Sequence, residues 1–327
     1  MSTSITALFG NTSKLFNSFN YLSCGIGGAR RNFSVSSSRK MRLVQFQLKS
    51  GGPQQLGAQI AANGDIFHLS AVDSSIPNNL VKFLQGGVPL YEKAKRVLAA
   101  GKSLVALNDV HLLSPVTKPD KIACVGLNYT GHCDEQNKPY PKEPIIFSKW
   151  SSVITGPNDN VVLPSISSRV DWEVELAVII GKKAKAIRPD QANDHIFGYT
   201  VAQDISARDW QKDRNGGQFL LGKSMDTFCP LGPVVVTKNK IDPNNLKIKS
   251  WVNGKLKQDG NTSELIFKID FLVSYLSQIV TLYPGDVILT GTPAGVGMHR
   301  NPPEFLKKGD VLESEIEGIG KLRNVIV

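Results

Sequence analysis

The sequence predicts an α+β fold in which β-strands predominate. Most apolar runs after residue 40 have the length and alternation of strands, and few segments have helical spacing. Asn253-Gly254 separates two alternating runs, a pattern typical of a type I′ hairpin. Pro284-Gly285-Asp286 and Lys308-Gly309-Asp310 are turn sequences that precede further apolar runs. With 327 residues, 41% of them hydrophobic and 20% charged, the chain can bury a substantial core.

The first forty residues differ in composition from the rest of the chain. They contain nine Ser, five basic residues and no Asp or Glu, and the first acidic residue is Asp65. Such a composition is typical of a mitochondrial transit peptide. We therefore predict a transit peptide over residues 1–40 and a location in the mitochondrial matrix. The alternative is a disordered N-terminus without a targeting role.

Residues 41–115 are predicted to form a small N-terminal α+β module. The patterns predict strands over residues 41–46 and 60–69 and helices over residues 79–84 and 91–100. The stretch from Pro115 to Pro119 predicts a joint. Residues 116–327 would then form the catalytic domain.

Residues 116–327 are predicted to consist mainly of strands. The expected strands are residues 122–125, 145–147, 161–163, 174–180, 198–202, 234–236, 246–252, 255–258, 287–289, 311–316 and 322–327. One helix is predicted, with Asp270 as its N-cap and Leu272, Val273 and Leu276 at helical spacing.

Charge, hydropathy and cysteine spacing argue against several classes of protein. Without residues 1–40 the chain loses five basic and no acidic residues, so its formal net charge falls from +10 to +5. No Lys/Arg cluster is interleaved with aromatic residues, which argues against nucleic-acid binding, and the modest positive excess suits an anionic small substrate. No apolar stretch approaches the ~20 residues of a membrane-spanning helix. The four Cys lack a C-x-x-C pair, which argues against a zinc or disulfide framework.

Two acidic residues stand at the head of an apolar strand. Glu173 and Glu175 are two residues apart, so their side chains share one face, roughly 7 Å apart. Because two buried carboxylates repel each other and lose hydration, a positive charge is expected between them. Asp204 ends another predicted strand, and three carboxylates without nearby Cys or His favour Mg²⁺ or Mn²⁺ over zinc. The alternative is that these acids pair with surface Arg or Lys.

A histidine and a glutamate follow the strand at residues 122–125. If a short helix begins there, His132 and Glu135 are three residues apart and face each other. A carboxylate on one ring nitrogen raises the basicity of the other, which makes His132 a candidate general base. The alternative is a surface histidine. Cys133 points about 100° away from His132 on a helix, which argues against a Cys–His dyad.

Three basic residues complete the candidate site. Lys149, Arg208 and Lys223, with Gln211 three residues after Arg208, would together suit a dianionic oxo-acid. Each alone is more typical of a solvated surface. The segment Leu289–Gly297 lacks the Gly-Lys-Ser/Thr ending of a phosphate loop. Its backbone amides and the Thr292 hydroxyl are predicted to receive a carboxylate.

Five motifs occur in order along the chain. They are Asn-Tyr-x-x-His-x-x-Glu at 128–135, Asp-Trp-Glu-Val-Glu-Leu-Ala at 171–177, Asp-x-x-x-Arg-Asp-x-Gln at 204–211, Gly-Lys-Ser at 222–224 and Pro-Gly-Asp-x-Ile-x-Thr-Gly-Thr-Pro at 284–293. Together they resemble the fumarylacetoacetate hydrolase superfamily, from about residue 41 to the C-terminus. The chain is most similar to a mitochondrial branch, domain-containing protein 2, whose members are described as oxaloacetate tautomerases.

The resemblance implies a β-sandwich roll as catalytic core, a small N-terminal module and a homodimer. It implies Mg²⁺ or Mn²⁺ held by Glu173, Glu175 and Asp204. His132 and Glu135 match the family's catalytic dyad, on a segment that closes as a lid over the substrate. The remaining matches are Lys223, beside the reacting carbons, and the substrate-facing Arg208, Gln211 and Thr292.

One departure from the family pattern bears on the reaction. Relatives that cleave acylpyruvates or decarboxylate oxaloacetate commonly carry Arg between the residues that match Gly126 and Asn128, and here the residue is Leu127. Loss of that cation argues against carbon–carbon cleavage, whereas keto–enol isomerisation needs only a stabilised enolate and a proton shuttle. The leading hypothesis is a tautomerase that converts enol-oxaloacetate to keto-oxaloacetate. The alternatives are a Mg²⁺-dependent hydrolase or decarboxylase of a β-keto acid and, more remotely, a non-enzymatic metal-binding scaffold.

Overall fold

Eighteen strands and seven α-helices occur in the part of the chain that the structure, a computed structural model, describes: residues 41–327. These residues lie within one compact unit. The predicted transit peptide falls outside the described residues. No helix in residues 41–327 is both long and apolar enough to cross a bilayer.

The strands and helices are short and follow one another closely. The strands are β1 (Arg42–Leu48), β2 (Gln55–Gln59), β3 (Ile66–His68), β4 (Leu104–Val105), β5 (Val110–Leu113), β6 (Ile122–Gly126), β7 (Ile145–Lys149), β8 (Ile154–Thr155), β9 (Val170–Asp171), β10 (Val174–Ile180), β11 (Ile196–Gln203), β12 (Ser206–Ala207), β13 (Cys229–Thr237), β14 (Lys247–Val252), β15 (Lys255–Asn261), β16 (Val287–Leu289), β17 (Val311–Ile316) and β18 (Gly320–Val325). The helices are α1 (Leu69–Val72), α2 (Leu80–Gln85), α3 (Gly87–Ala100), α4 (Thr130–Asp134), α5 (Ala192–His195), α6 (Phe219–Lys223) and α7 (Ile269–Ile279).

Twelve of these strands form one mixed sheet. Its order is β4-β3-β2-β1-β13-β11-β10-β16-β6-β7, with β5 paired to β1 and β8 paired to β13. Strand β1 from the N-terminal part pairs with β13 from the C-terminal part. Both parts therefore share one sheet, and the domain boundary at residues 115–116 stays a proposal.

A second sheet of four strands, β15-β14-β17-β18, packs against the large one. Their shared core contains Val178 and Val201 from the large sheet and Ile248, Ile316 and Leu322 from the small one. A two-stranded sheet, β12-β9, pairs Ser206 with Asp171 and Ala207 with Val170. Two sheets around one core make a β-sandwich, so the predicted fold class is confirmed.

Strand β10 is buried on both faces along its whole length. Its residues alternate between two cores: Leu176 and Val178 pack in the core between the sheets, and Ala177 and Ile179 pack in the core that also contains residues of α2 and α3. Because the side-chain period of a strand is two, Glu175 shares the face of Ala177 and Ile179. The candidate site forms at the start of β10, where Glu175 lies on this face.

Several predicted elements match the structure residue for residue. The bounds of β10, β16 and β17 are those expected from the sequence. The hairpin at Asn253-Gly254 is confirmed, since both residues have positive φ, 51° and 73°, and Val252 pairs with Lys255.

Three details of the prediction are wrong. Residues 161–163 form no strand: Val161 makes only an isolated parallel bridge with Ile326. Residues 60–69 are not one strand, because a turn with positive φ at Asn63 separates β2 from β3. Helix α7 begins two residues earlier than predicted, with Lys268 and not Asp270 at the N-cap.

Candidate active site

The candidate site lies at one end of five neighbouring strands of the large sheet, β11, β10, β16, β6 and β7. Strands β16 and β6 are parallel neighbours, with Leu289 beside Cys124, so the loops that follow them leave the sheet side by side. Strands β10 and β11 are antiparallel, with Val174 opposite Gln203. The start of β10 and the end of β11 therefore meet at the same place, and β7 completes the edge.

Three carboxylates converge at this edge. One oxygen each of Glu173, Glu175 and Asp204 can be chosen so that all lie within 4.8 Å of one another, and all three residues are buried. The register explains the convergence: the backbone N–H of Asp204 donates to the carbonyl oxygen of Glu173 at 2.9 Å. The prediction that these acids come together is confirmed.

Buried cations neutralise part of this negative charge. The Lys223 ammonium lies 2.6 Å from Glu173 Oε2 and 2.6 Å from Asp204 Oδ2. Lys149 Nζ lies 2.6 Å from Asp204 Oδ1. Burial lowers the pKa of Lys223, but Asp204 and Glu173 outweigh burial and hold that pKa above its usual range. Lys223 is therefore a charged member of the cluster.

Lys149 lies deeper than the sequence predicted. Its side chain is fully buried, donates to Asp204 and to the Ile205 carbonyl oxygen, and does not line the cavity. The structure thus shows Lys149 supporting an acid, and its contact with substrate stays a prediction.

Arg208 makes a clamp between two acids. Its Nε donates to Asp171 Oδ2 at 2.8 Å, and its Nη2 lies 2.8 Å from the same oxygen and 2.7 Å from Glu173 Oε1. Its Nη1 donates to Gln211 Oε1 at 2.9 Å. Burial lowers the pKa of Arg208, but the negative charges of Asp171 and Glu173 outweigh burial and raise that pKa above its usual range. The guanidinium that we expected to face a substrate carboxylate is thus occupied by protein groups, although Arg208 and Gln211 both line the cavity.

The sequence analysis missed Asp171. This fully buried carboxylate accepts hydrogen bonds from the backbone N–H groups of Gly297 at 2.7 Å and Met298 at 3.0 Å, besides its contacts with Arg208. Asp171 is the first residue of the motif at 171–177, and this position was the signal in the sequence that could have identified it. Asp171 ties the Arg208 clamp to the loop after β16.

Glu175 is the least compensated acid of the cluster. Burial and the charges of Asp204 and Glu173 raise its pKa well above the usual range. By contrast, Lys223 and Arg208 outweigh burial and lower the pKa of Glu173. A further cation beside Glu175 would favour its ionised form, since an opposite charge stabilises a carboxylate.

The donor set fits a hard divalent cation. Four buried acids, Asp171 and the three of the cluster, face three buried cations, and among the described residues no cation pairs with the Glu175 carboxyl. The cluster offers only carboxylate oxygens, and such oxygens suit Mg²⁺ or Mn²⁺ better than zinc. Glu173, Glu175 and Asp204 can therefore hold such an ion, as the sequence predicted.

His132 and Glu135 form the expected pair at the end of α4. His132 Nδ1 lies 2.5 Å from Glu135 Oε1, and Glu135 Oε2 accepts from the Gly295 N–H at 2.8 Å. Gln136 Nε2 lies 3.0 Å from His132 Nε2 and donates to the His132 carbonyl oxygen at 3.0 Å. Both ring contacts fit one tautomer, with the proton on Nδ1 and the lone pair on Nε2. The neighbouring Cys133 faces the Leu127 carbonyl oxygen at 3.5 Å, and burial raises the pKa of its thiol, so the predicted absence of a Cys–His dyad agrees with the geometry.

The loop after β16 holds protein carboxylates. Its amides at Gly291, Gly295 and Gly297 donate to Glu175, Glu135 and Asp171. Gly295 has φ of 103°, and a Cβ there would lie 2.1 Å from the Lys257 carbonyl oxygen, so only glycine fits. The backbone amides predicted to receive a carboxylate thus receive carboxylates of the chain itself.

Thr292 lines the cavity but its hydroxyl is also engaged. Its Oγ1 donates to the Val174 carbonyl oxygen at 2.9 Å and accepts from Gln258 Nε2 at 2.7 Å. The hydroxyl proton is thus unavailable to a carboxylate. Gly222 has a separate structural role: a Cβ there would lie 2.6 Å from the Gln211 backbone nitrogen, so glycine lets α6 approach closely and aim Lys223 at the acids.

A cavity of about 60 Å³ opens between the acids and the dyad. His132, Glu173, Glu175 and Lys223 all line it. Residues that the sequence analysis missed line it as well: Gln136, Lys138, Lys212, Met298 and His299. Leu127, with φ of 51°, contributes an apolar wall where some relatives are expected to carry Arg. The site therefore brings a candidate base and an acidic cation site to one small chamber.

Comparisons with known proteins identify relatives of this chain. Residues 121–327 match the family model described as fumarylacetoacetate (FAA) hydrolase C-terminal. Over 291 residues the chain is 54% identical to the Homo sapiens protein named "Oxaloacetate tautomerase FAHD2A, mitochondrial". The alignment covers 89% of this chain and 93% of that protein. A Dictyostelium discoideum relative, "Fumarylacetoacetate hydrolase domain-containing protein 2 homolog", is 44% identical over 90% of this chain and 98% of its own length.

A solved structure adds chemical detail. Maleylpyruvate hydrolase from Sphingobium sp. SYK-6, in complex with manganese(II) ion and pyruvate, superposes with a TM-score of 0.72 at 30% identity, covering 88% of this chain and 99% of that chain. The fold, the ordered motifs and the matched model agree over most of the chain. This chain belongs to the fumarylacetoacetate hydrolase family.

Proposed function

We propose that this protein is an oxaloacetate tautomerase of the mitochondrial matrix, which converts the enol form of oxaloacetate to the keto form. One observation carries the proposal: a histidine with a carboxylate partner, His132, and a buried acidic cluster line the same cavity. The relatives named as mitochondrial oxaloacetate tautomerases support the substrate and the location.

We propose that Glu173, Glu175 and Asp204 hold Mg²⁺ or Mn²⁺. A bound divalent ion would supply Lewis-acid stabilisation of negative charge on the oxygens of a 2-oxo acid. The uncompensated charge of the acids supports this assignment, and the Mn²⁺ in the related maleylpyruvate hydrolase is consistent with it.

His132 carries the proton. The reaction removes a proton from the enol hydroxyl and adds one to C3, and no carbon–carbon bond breaks. With Nδ1–H directed at Glu135, the Nε2 lone pair of His132 can take up a proton and return it, and Glu135 stabilises the imidazolium formed in between. Gln136 occupies this Nε2 in the structure, so its amide must turn away when substrate enters.

Lys223 stabilises the developing charge. Its ammonium is buried beside the acids and has three donors, of which two point at Glu173 and Asp204. The third can donate to the oxygen on which negative charge develops, and such stabilisation is strong where water is excluded. Gln211 and Thr292 are proposed to shape the wall that orients the substrate, and Arg208 to hold Glu173 in place.

The active unit is proposed to be a homodimer. This expectation rests on the family resemblance, and it is tested by light scattering of the purified protein. A monomer at working concentration would contradict it.

The function is tested by following loss of the enol absorbance of oxaloacetate together with release of pyruvate and CO₂. We expect the enol to disappear faster than without protein, only with Mg²⁺ or Mn²⁺ present, and without matching pyruvate release. Pyruvate formed as fast as the enol is lost would instead indicate a decarboxylase. Leu127, an apolar residue on the cavity wall, argues against that outcome.

A further inference from the structure

Two lysines stand at the mouth of the cavity without an acidic partner. We infer that Lys212 and Lys138 form a subsite for the distal carboxylate of the substrate, which makes the site selective for oxo-dicarboxylates over oxo-monocarboxylates. This inference rests on the proposed function and deepens it. It assigns a role to two residues that none of the sequence motifs includes.

The inner cations cannot serve this purpose. Lys149, Lys223 and Arg208 each pair with buried acids of the chain. Oxaloacetate carries two carboxylates, and once one of them lies at the acidic cluster the other must find positive charge elsewhere. A dianion that enters this chamber therefore needs cations beyond the inner three.

Lys212 lines the cavity, whereas the acids of its own segment pair with other side chains. It lies in the short π-helical segment Asp209–Asp213, directly after Gln211, and its Nζ stands 5.5 Å from the centroid of the Phe219 ring. In the same segment, Asp209 accepts from the Ser167 hydroxyl and Asp213 pairs with Arg169. Within residues 41–327 no acid pairs with Lys212, although it lines the cavity. Its charge is thus available to a ligand.

Lys138 lines the same cavity. It follows the segment of the His132–Glu135 pair, its side chain is exposed, and no described acid forms an ion pair with it. Partial burial and the charges of Lys138 and Arg208 lower the pKa of Lys212 to about 8. An anion between the two lysines would relieve that repulsion. His299 lines the same mouth, but burial lowers its pKa, so the positive charge there comes from the lysines.

The inference is tested by calorimetric titration of the Mg²⁺-loaded protein with malate and with lactate. The two ligands share a 2-hydroxy carboxylate, and malate differs only in a second carboxylate on C3. We expect the wild type to prefer malate, and Lys212→Met to weaken malate binding about tenfold, about 1.4 kcal/mol, because it loses a charge-assisted contact with the second carboxylate. Lactate binding should stay within about twofold. Lys138→Met should act in the same direction, and Lys212→Arg should restore most of the preference.

The matched control is Lys308→Met, which removes an exposed lysine outside the site. It should leave both affinities unchanged. Equal affinity of the wild type for malate and lactate, or equal loss of both ligands in Lys212→Met, would overturn the inference. Binding is measured without turnover, so the two hypotheses can fail separately. If the protein prefers malate but lacks tautomerase activity, only the proposed function is wrong. If the protein is an active tautomerase and Lys212→Met keeps its full preference for malate, only the proposed subsite is wrong.

Discussion

Glu175→Gln is the sharpest test of the metal site, because it removes one charge and little volume. The Glu175 carboxylate is 1% exposed, and its Oε2 accepts from the Gly291 N–H at 2.7 Å, a hydrogen bond that the amide oxygen of Gln can also accept. The substitution removes the carboxylate that Asp204 and Glu173 oppose most strongly. Without metal, the variant should therefore be at least as stable as the wild type.

The two proteins should diverge when metal is added. An ion that binds only the folded state at about one hundred times its Kd stabilises it by about 2.7 kcal/mol. In a chain of this size about 1 kcal/mol shifts Tm by about 2 °C, so Mg²⁺ should raise the Tm of the wild type by about 5 °C. Glu175→Gln leaves two charged ligands of three, and we expect most of that shift to disappear.

The assay is thermal unfolding with and without Mg²⁺, repeated with Mn²⁺. Glu315→Gln is the matched control, because it makes the same chemical change in a side chain that is 47% exposed and distant from the cluster. It should keep the full metal shift. An equal metal shift in Glu175→Gln and wild type would refute the assignment of this acid as a ligand, and a large loss of metal-free stability would refute the argument from charge repulsion.

Three further substitutions test other parts of the site. His132→Asn should lower kcat about 10²–10⁴-fold while the Mg²⁺-induced shift in Tm persists, and retained turnover would exclude His132 as the base. Arg208→Lys replaces the forked guanidinium contact with a single point charge, so Glu173 is held less firmly and the affinity for metal should fall. Titration with Mg²⁺ measures this affinity. An unchanged affinity would show that the Arg208 clamp is not needed for metal binding. Gly295→Ala should lower Tm and activity together, because the new Cβ would collide with the Lys257 carbonyl oxygen. A variant as stable and as active as the wild type would contradict this close packing.

The sequence predicted the parts of the site that depend on local geometry. The two-residue period of a strand placed Glu173 and Glu175 on one face, and the three-residue spacing on a helical turn placed His132 beside Glu135. The turn residues Asn253-Gly254 likewise identified their hairpin without tertiary information. In each case the relevant atoms lie within a few residues of one another, so the backbone period alone determines their relative position.

Tertiary structure decided which groups are free to meet a substrate. Arg208, Lys149 and the amides of the loop after β16 all seemed available in the sequence, yet each is used by an acid that lies 37 to 160 residues away. Those pairings depend on strand order and register, which no local pattern encodes. The same long-range packing leaves Lys212 lining the cavity, while the acids of its own segment pair with Ser167 and Arg169. Local sequence thus determined the chemistry of the donors, and the sheet topology determined which of them remain for the ligand.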